Sequence, residues 1–128
     1  MPQENVELVR AALERWNRGE RDMADYHPEV EWLPLRAATE GAYRGIDGME
    51  RFLADTEQTF EQFQIRCDLL AVGERVLAWG TIHVRAAQSG IEMDVPVGGV
   101  VECRGGKIVR FEDFGSKQAA LEALGLAE

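Results

Sequence analysis

Residues 93–114, MDVPVGGVVECRGGKIVRFEDF, restrict the fold more than any other part of the chain. Val95, Val97, Val100, Val101 and Cys103 lead into Arg104-Gly105-Gly106-Lys107, and Ile108, Val109 and Phe111 lead out. This pattern predicts two strands joined by a tight turn, because adjacent glycines accept the positive-φ positions that hairpin turns require. Pro96 and Gly98-Gly99 interrupt the first strand, which predicts a bulge or sharp bend there. A bent sheet has a concave face, and a concave face can hold a ligand. Glu112 and Asp113 close the second strand directly after its apolar run, so their direction matters for function.

Upstream of the hairpin the periodicity is first helical. Val6, Val9, Leu13 and Trp16 recur on one face of a helix over 5–17, with Asn5 as N-cap and Gly19 just past its end. Met23 and Tyr26 suggest a second, short helix over 20–26, stopped by Pro28. A short strand is expected at 30–33, then an irregular segment over 34–47 that carries Arg36, Tyr43 and Arg44. Asp47 reads as the N-cap of a helix to about residue 60, whose apolar stripe is Met49, Phe52, Leu53, Thr56 and Phe60. From Phe63 the period becomes two, giving strands over 63–69 and 76–86 with a turn at 72–75. Ser116 is positioned to cap a last short helix that ends at Gly125-Leu126. Helices grouped ahead of an antiparallel meander define an α+β domain, expected here as one unit over 1–128.

Composition excludes several function classes. The net charge of −9 and the absence of a basic stripe argue against a nucleic-acid surface. No apolar run approaches the roughly 18 residues of a membrane span, and MPQENVE lacks the features of a signal peptide, so the expected location is cytoplasmic. Cys67 and Cys103 sit inside apolar strand patterns and are expected to be buried free thiols. The two cysteines and two histidines have no metal-ligand spacing, and the chain has no phosphate loop, dinucleotide fingerprint or nucleophile elbow. Neither a metal nor a cofactor is expected.

YHPEVEW after the second helical segment, GAYRGIDGMERFL entering the third, and GGKIVRFEDF in the last strand resemble the SnoaL-like group. That group lies within the superfamily of nuclear transport factor 2 and ketosteroid isomerase. The resemblance covers nearly the whole chain. It implies a cone-shaped, strongly curved, mostly antiparallel sheet wrapped around the N-terminal helices, an apolar pocket inside the cone, and a homodimer through the outer sheet face. Function is not implied by the fold, which hosts isomerases, cyclases, hydratases, epoxide hydrolases and binding domains.

The family's catalytic residues carry over only in part. The ketosteroid isomerase positions fall near Ala12, Leu33 and Gly98, none of which can move a proton. Of the limonene-type epoxide hydrolase positions, the acid of the last strand matches Asp113; the others fall around Gly80 and Ile82-His83. Strand alternation groups Val109, Phe111 and Asp113 on one face, and Leu77, Trp79, Thr81 and His83 on another. The resemblance points both faces into the pocket. Asp113 is then the candidate catalytic acid or base and His83 its partner; the alternatives are a strand-end Asp113 that pairs with an Arg or caps a turn, and an exposed His83 near a hairpin end. Trp32, Tyr43, Trp79 and Phe111 would form apolar wall, with Thr81 beside them and Asp94 at the mouth.

Two functions are compatible with these residues. One is a cofactor-free acid-base enzyme (isomerase, cyclase or hydratase/hydrolase) acting on a hydrophobic organic substrate. The other is a non-catalytic ligand-binding or dimerisation domain that has lost the family's carboxylates.

Overall fold

A computed structural model describes residues 2–35 and 41–126. Helix α1 (Pro2–Asn17) is followed by β1 (Tyr26–Leu33), β2 (Tyr43–Arg44), α2 (Gly45–Thr59), β3 (Phe60–Val72) and β4 (Arg75–Ala86). The organising hairpin is β5 (Glu92–Arg104) and β6 (Lys107–Asp113), and α3 (Lys117–Ala123) ends the described fold. Gly105 and Gly106 turn the hairpin with φ of 58° and 76°, as the paired glycines predict. The sheet order is β2-β1-β6-β5-β4-β3. All neighbours are antiparallel except β1 and β6, which run parallel. The architecture is therefore the expected α+β arrangement with a mostly antiparallel sheet.

Curvature is visible in which residues meet. Trp32 of β1 and Phe63 and Ile65 of β3 face one cavity although three strands separate them in the sheet. Close strand approach makes this bend feasible. A Cβ on Gly80 would overlap the Arg66 carbonyl and lie 2.9 Å from Cα of Cys67, so only glycine fits where β3 presses on β4. Inside the curve, Val9, Ala12 and Trp16 of α1 and Met49, Phe52 and Leu53 of α2 pack against Val30, Val76, Val101 and Ile108. On the outer face, Ala120 of α3 seats against Leu77 and Val100.

Several local expectations are corrected. α1 begins at Pro2, so Asn5 is not its cap; it is buried in the helix and donates from Nδ2 to the Glu74 carbonyl at 3.1 Å. Residues 20–25 form no helix. Side chains there satisfy backbone groups instead, which favours a loop. Asp22 Oδ1 accepts from Ala24 N at 2.9 Å, Arg21 donates to the Trp16 carbonyl and covers its ring, and Arg15 pairs with Asp25. α2 is preceded by Arg44 with no side-chain cap, and Asp47 lies in its first turn, where a negative charge suits the helix dipole.

No bulge interrupts β5 at Pro96 or Gly98-Gly99, since its ladder to β4 is continuous. The irregularity lies further along, where β5 and β6 shift register between Glu102 and Cys103, opposite Val109. Ser116 caps α3 as expected, accepting at Oγ from Ala119 N at 3.1 Å. Gly125 and Leu126 bond back to Glu122 and Leu121, closing that helix.

Candidate active site

The curved sheet and the two N-terminal helices enclose a cavity of about 770 Å³. Its wall is an aromatic chain. Trp32 and Phe111, partners in the parallel β1–β6 ladder, stack with centroids 4.5 Å apart. Tyr26 meets Trp32 edge-on, and Phe52 lies between Trp32 and Tyr43. Trp16, Phe60 and Phe63 continue the surface at the other side. Exposed Leu35, Gln58 and Thr59 also line the space, so the cavity reaches solvent beside the C-terminal end of α2. There the Tyr43 hydroxyl donates to Asp55 at 2.7 Å.

Asp113 faces this cavity from the end of β6. Its Oδ1 accepts from Gly115 N at 2.8 Å and from Gly98 N at 3.3 Å. Among the described residues no side chain donates to it and no cation pairs with it. Burial raises its pKa above the ordinary carboxylate value, and the two backbone donors oppose that rise. Cys67 also lines the cavity, and burial, helped by the charges of Asp113 and Asp68, pushes its thiol up to about 11. At neutral pH it is a thiol, not a nucleophilic thiolate. Burial likewise pushes the Tyr26 hydroxyl up to about 12, so it remains protonated. Cys67 and Cys103 are free and half-buried rather than fully buried. Among the described residues no cluster of His, Cys, Asp or Glu is positioned to hold a metal.

The expected constellation is brought together only in part. Trp32, Tyr43, Phe111 and Asp113 line the cavity; Trp79, Thr81, His83 and Asp94 do not. On β4 the cavity takes the even positions Ala78, Ile82 and Val84, and on β5 the odd ones Val95, Val97 and Val101. The register carried over from the family is thus one residue out on β4, and such a slip sends every side chain to the opposite face. His83 lies on the outer face, bonded to Asp94 at 2.8 Å and Glu92 at 3.0 Å. Both carboxylates raise its pKa, Asp94 most. Trp79 carries Lys117 over its ring at 4.3 Å, and Thr81 is exposed.

On β6 the cavity takes Ile108, not Val109, with Phe111 and Asp113, because the register shift displaces one residue. Arg44 is paired with Glu31 on the surface, and Arg36 lies outside the described residues. The sequence held a signal for the correct faces. In the second half of β4, Ile82 and Val84 are apolar whereas Thr81, His83 and Arg85 on the alternate face are polar. In the first half both faces are apolar, with Leu77 and Trp79 on the outer one.

A curved, mostly antiparallel sheet closed by helices over an apolar cavity defines the cone fold shared by nuclear transport factor 2 and ketosteroid isomerase. Within that class the chain belongs to the SnoaL-like domain family, whose model matches residues 9–111. A nuclear-transport-factor-2-like protein from Burkholderia pseudomallei is 23% identical with a TM-score of 0.78, with 96% of each chain covered. TerC, co-crystallised with polyporic acid, is 23% identical with a TM-score of 0.75, covering 95% of this chain and 98% of its own. A protein from Jannaschia sp. CCS1, provisionally described as a SnoaL-like polyketide cyclase, is 18% identical with a TM-score of 0.77. That match covers 99% of this chain and 95% of the other. No curated protein matches the chain significantly. Family and fold together make this a member of a small-molecule-binding family. No helix among the described residues is long and apolar enough to cross a membrane.

Proposed function

We propose that the protein is a single-domain, cofactor-free acid-base enzyme acting on a hydrophobic organic molecule held in the cone, with Asp113 as its proton acceptor or donor. The observation that carries this reading is the Asp113 carboxyl. It borders an apolar cavity of about 770 Å³, is held by two backbone N–H groups, and is unpaired by any described cation. Desolvation moves such a carboxyl towards the pH at which proton transfer is efficient. Trp32, Phe111 and Tyr43 would grip the substrate through apolar area. The reaction class is isomerisation, cyclisation or hydration, since each needs one proton moved and no redox group. Relatives provisionally described as polyketide cyclases fit this class.

The test is mass spectrometry of enolisable ketones, polycyclic ketones and epoxides incubated with the protein in deuterated water, alongside Asp113→Asn. Deuterium uptake or water addition that disappears in the variant is the expected result. Turnover that survives the substitution would remove Asp113 from the mechanism.

A second reading keeps the pocket and drops the chemistry. It is favoured by one observation: Asp113 has no second acid or base beside it at Ala12, Leu33, Gly98 or His83. Ligand binding without turnover across the panel would establish it. Under either reading we propose a cytoplasmic homodimer joined through the outer sheet face that carries Thr81, His83 and Asp94. Sedimentation analysis of the wild type and of Thr81→Arg checks this, with a monomer expected for the variant.

A further inference from the structure

We infer that the pocket selects its ligand by charge: it takes hydrophobic molecules that are uncharged or cationic and rejects their carboxylate counterparts, with Asp113 as the principal discriminator. This rests on the cavity being the ligand site and adds what that ligand must be.

Among the described residues lining the cavity, the charged ones are Asp55 and Asp113, and none is Arg, Lys or His. Three cations among the described residues are engaged away from it. Arg15 pairs with Asp25, Arg44 with Glu31, and Lys117 covers Trp79 on the outer face. A ligand carboxylate would therefore lose its hydration shell without gaining a counterion among the described residues, and would meet Asp113 as a like charge. The walls act in the same direction. Trp32, Phe111, Tyr26 and Phe52 line it with aromatic rings, whose π-faces carry partial negative charge and attract cations. The net charge of −9 adds a long-range field of the same sign. Neutral molecules carry no charge to desolvate on entry, and an ammonium group gains a partner at Asp113 that offsets its desolvation.

Three fluorescent probes with one polycyclic skeleton separate these effects: pyrenemethanol, pyrenemethylamine and pyrenecarboxylate. Binding is followed at neutral pH and physiological ionic strength, and each probe is challenged with an excess of the alcohol to show that one site is shared. The amine is expected to bind at least as tightly as the alcohol, and the carboxylate about 100-fold more weakly than the alcohol. In Asp113→Asn the amine should fall to the level of the alcohol, and the penalty on the carboxylate should shrink to about tenfold.

Equal binding of carboxylate and alcohol overturns the inference while leaving the pocket intact. So do affinity ratios between the probes that Asp113→Asn leaves unchanged, or an amine that the alcohol does not displace. Failure of all three probes to bind overturns the pocket reading itself, and this inference with it.

Discussion

Gly98 joins the fold to the site, and replacing it with alanine tests both. The backbone of Gly98 is outside the left-handed region, so alanine can adopt it and the cost is spatial. A Cβ there would overlap the Ser116 carbonyl and lie 2.5 Å from Lys117 N. Ordinary contact needs about 3.5 Å and the Ser116 carbonyl would be nearer than that nitrogen, so the Ser116–Lys117 peptide must retreat by roughly 1.5 Å. That peptide starts α3, whose Ala120 is fully buried against Leu77 and Val100. Overpacking of this kind costs about 1–3 kcal/mol. Partial lifting of α3 places the expected loss near the upper end, about 2–3 kcal/mol. With a urea slope of roughly 2 kcal/mol/M, the unfolding midpoint should fall by about 1–1.5 M.

A second readout follows from the hydrogen bonds. Gly98 N and Gly115 N hold the Asp113 carboxyl down, so stretching either lets burial raise its pKa further, measurable by carboxyl carbon NMR. Gly105→Ala is the contrast. Its Cβ would meet nothing within 4 Å, but φ is 58°, so a loss of about 1 kcal/mol with no effect on Asp113 is expected. If Gly98→Ala were as stable as the wild type with Asp113 titrating unchanged, the close approach of α3 to β5 would be refuted.

Asp113→Asn should be no less stable than the wild type at neutral pH. A carboxyl whose folded pKa is raised contributes stability that is fully present below its unfolded pKa and lost as pH rises through the folded value. Urea unfolding of both proteins should therefore show the wild type losing ground to the variant across that window; a gap opening in acid instead would contradict the burial argument. His83 should titrate above its ordinary value in proton NMR, and Asp94→Asn should lower it more than Glu92→Gln. Its contribution to stability is complete below the unfolded pKa and disappears as pH rises through the folded one. With its thiol at about 11, Cys67 should alkylate slowly at neutral pH and faster in Asp113→Asn, because that change removes a charge opposing the thiolate. Rates that do not change between the two proteins would separate Cys67 from Asp113. Ser116→Ala should cost about 1 kcal/mol through loss of the α3 cap, read by thermal unfolding.

The hairpin was legible because local chemistry specifies it: Gly105-Gly106 permits one kind of turn, and alternating apolar residues on both sides permit only strands. Ser116 was legible for the same reason, since a cap bonds within its own helix turn. The segment over 20–26 was misread because its apolar spacing is helical, while Arg15–Asp25, Arg21 on Trp16 and the Asp22 turn supply competing partners. Two of those three reach back to α1, where a short sequence window sees nothing.

The site divides in the same way. Phe111 and Asp113 face the cavity as strand alternation on β6 predicts, whereas Trp32 was named for its aromatic side chain with no inward face assigned to β1. His83, Trp79, Thr81 and Asp94 were assigned inward by a register one residue out, although the polarity of Thr81, His83 and Arg85 marks that side as solvent-facing. Phe52 and Cys67 entered the cavity wall without any motif to announce them.

By itself, then, the sequence determined the α+β class, the hairpin turn, the final helix cap and an acid at the end of an apolar strand. All of these depend on residues within a few positions of one another. Only the tertiary structure decided which carboxyl meets the cavity and which turns to solvent. That choice depends on strand register, on the shift opposite Val109, and on glycines that let β3 and α3 press onto the sheet. Each of these is a contact between residues far apart in the chain, and desolvation, which sets the chemistry of Asp113, exists only once those contacts have formed.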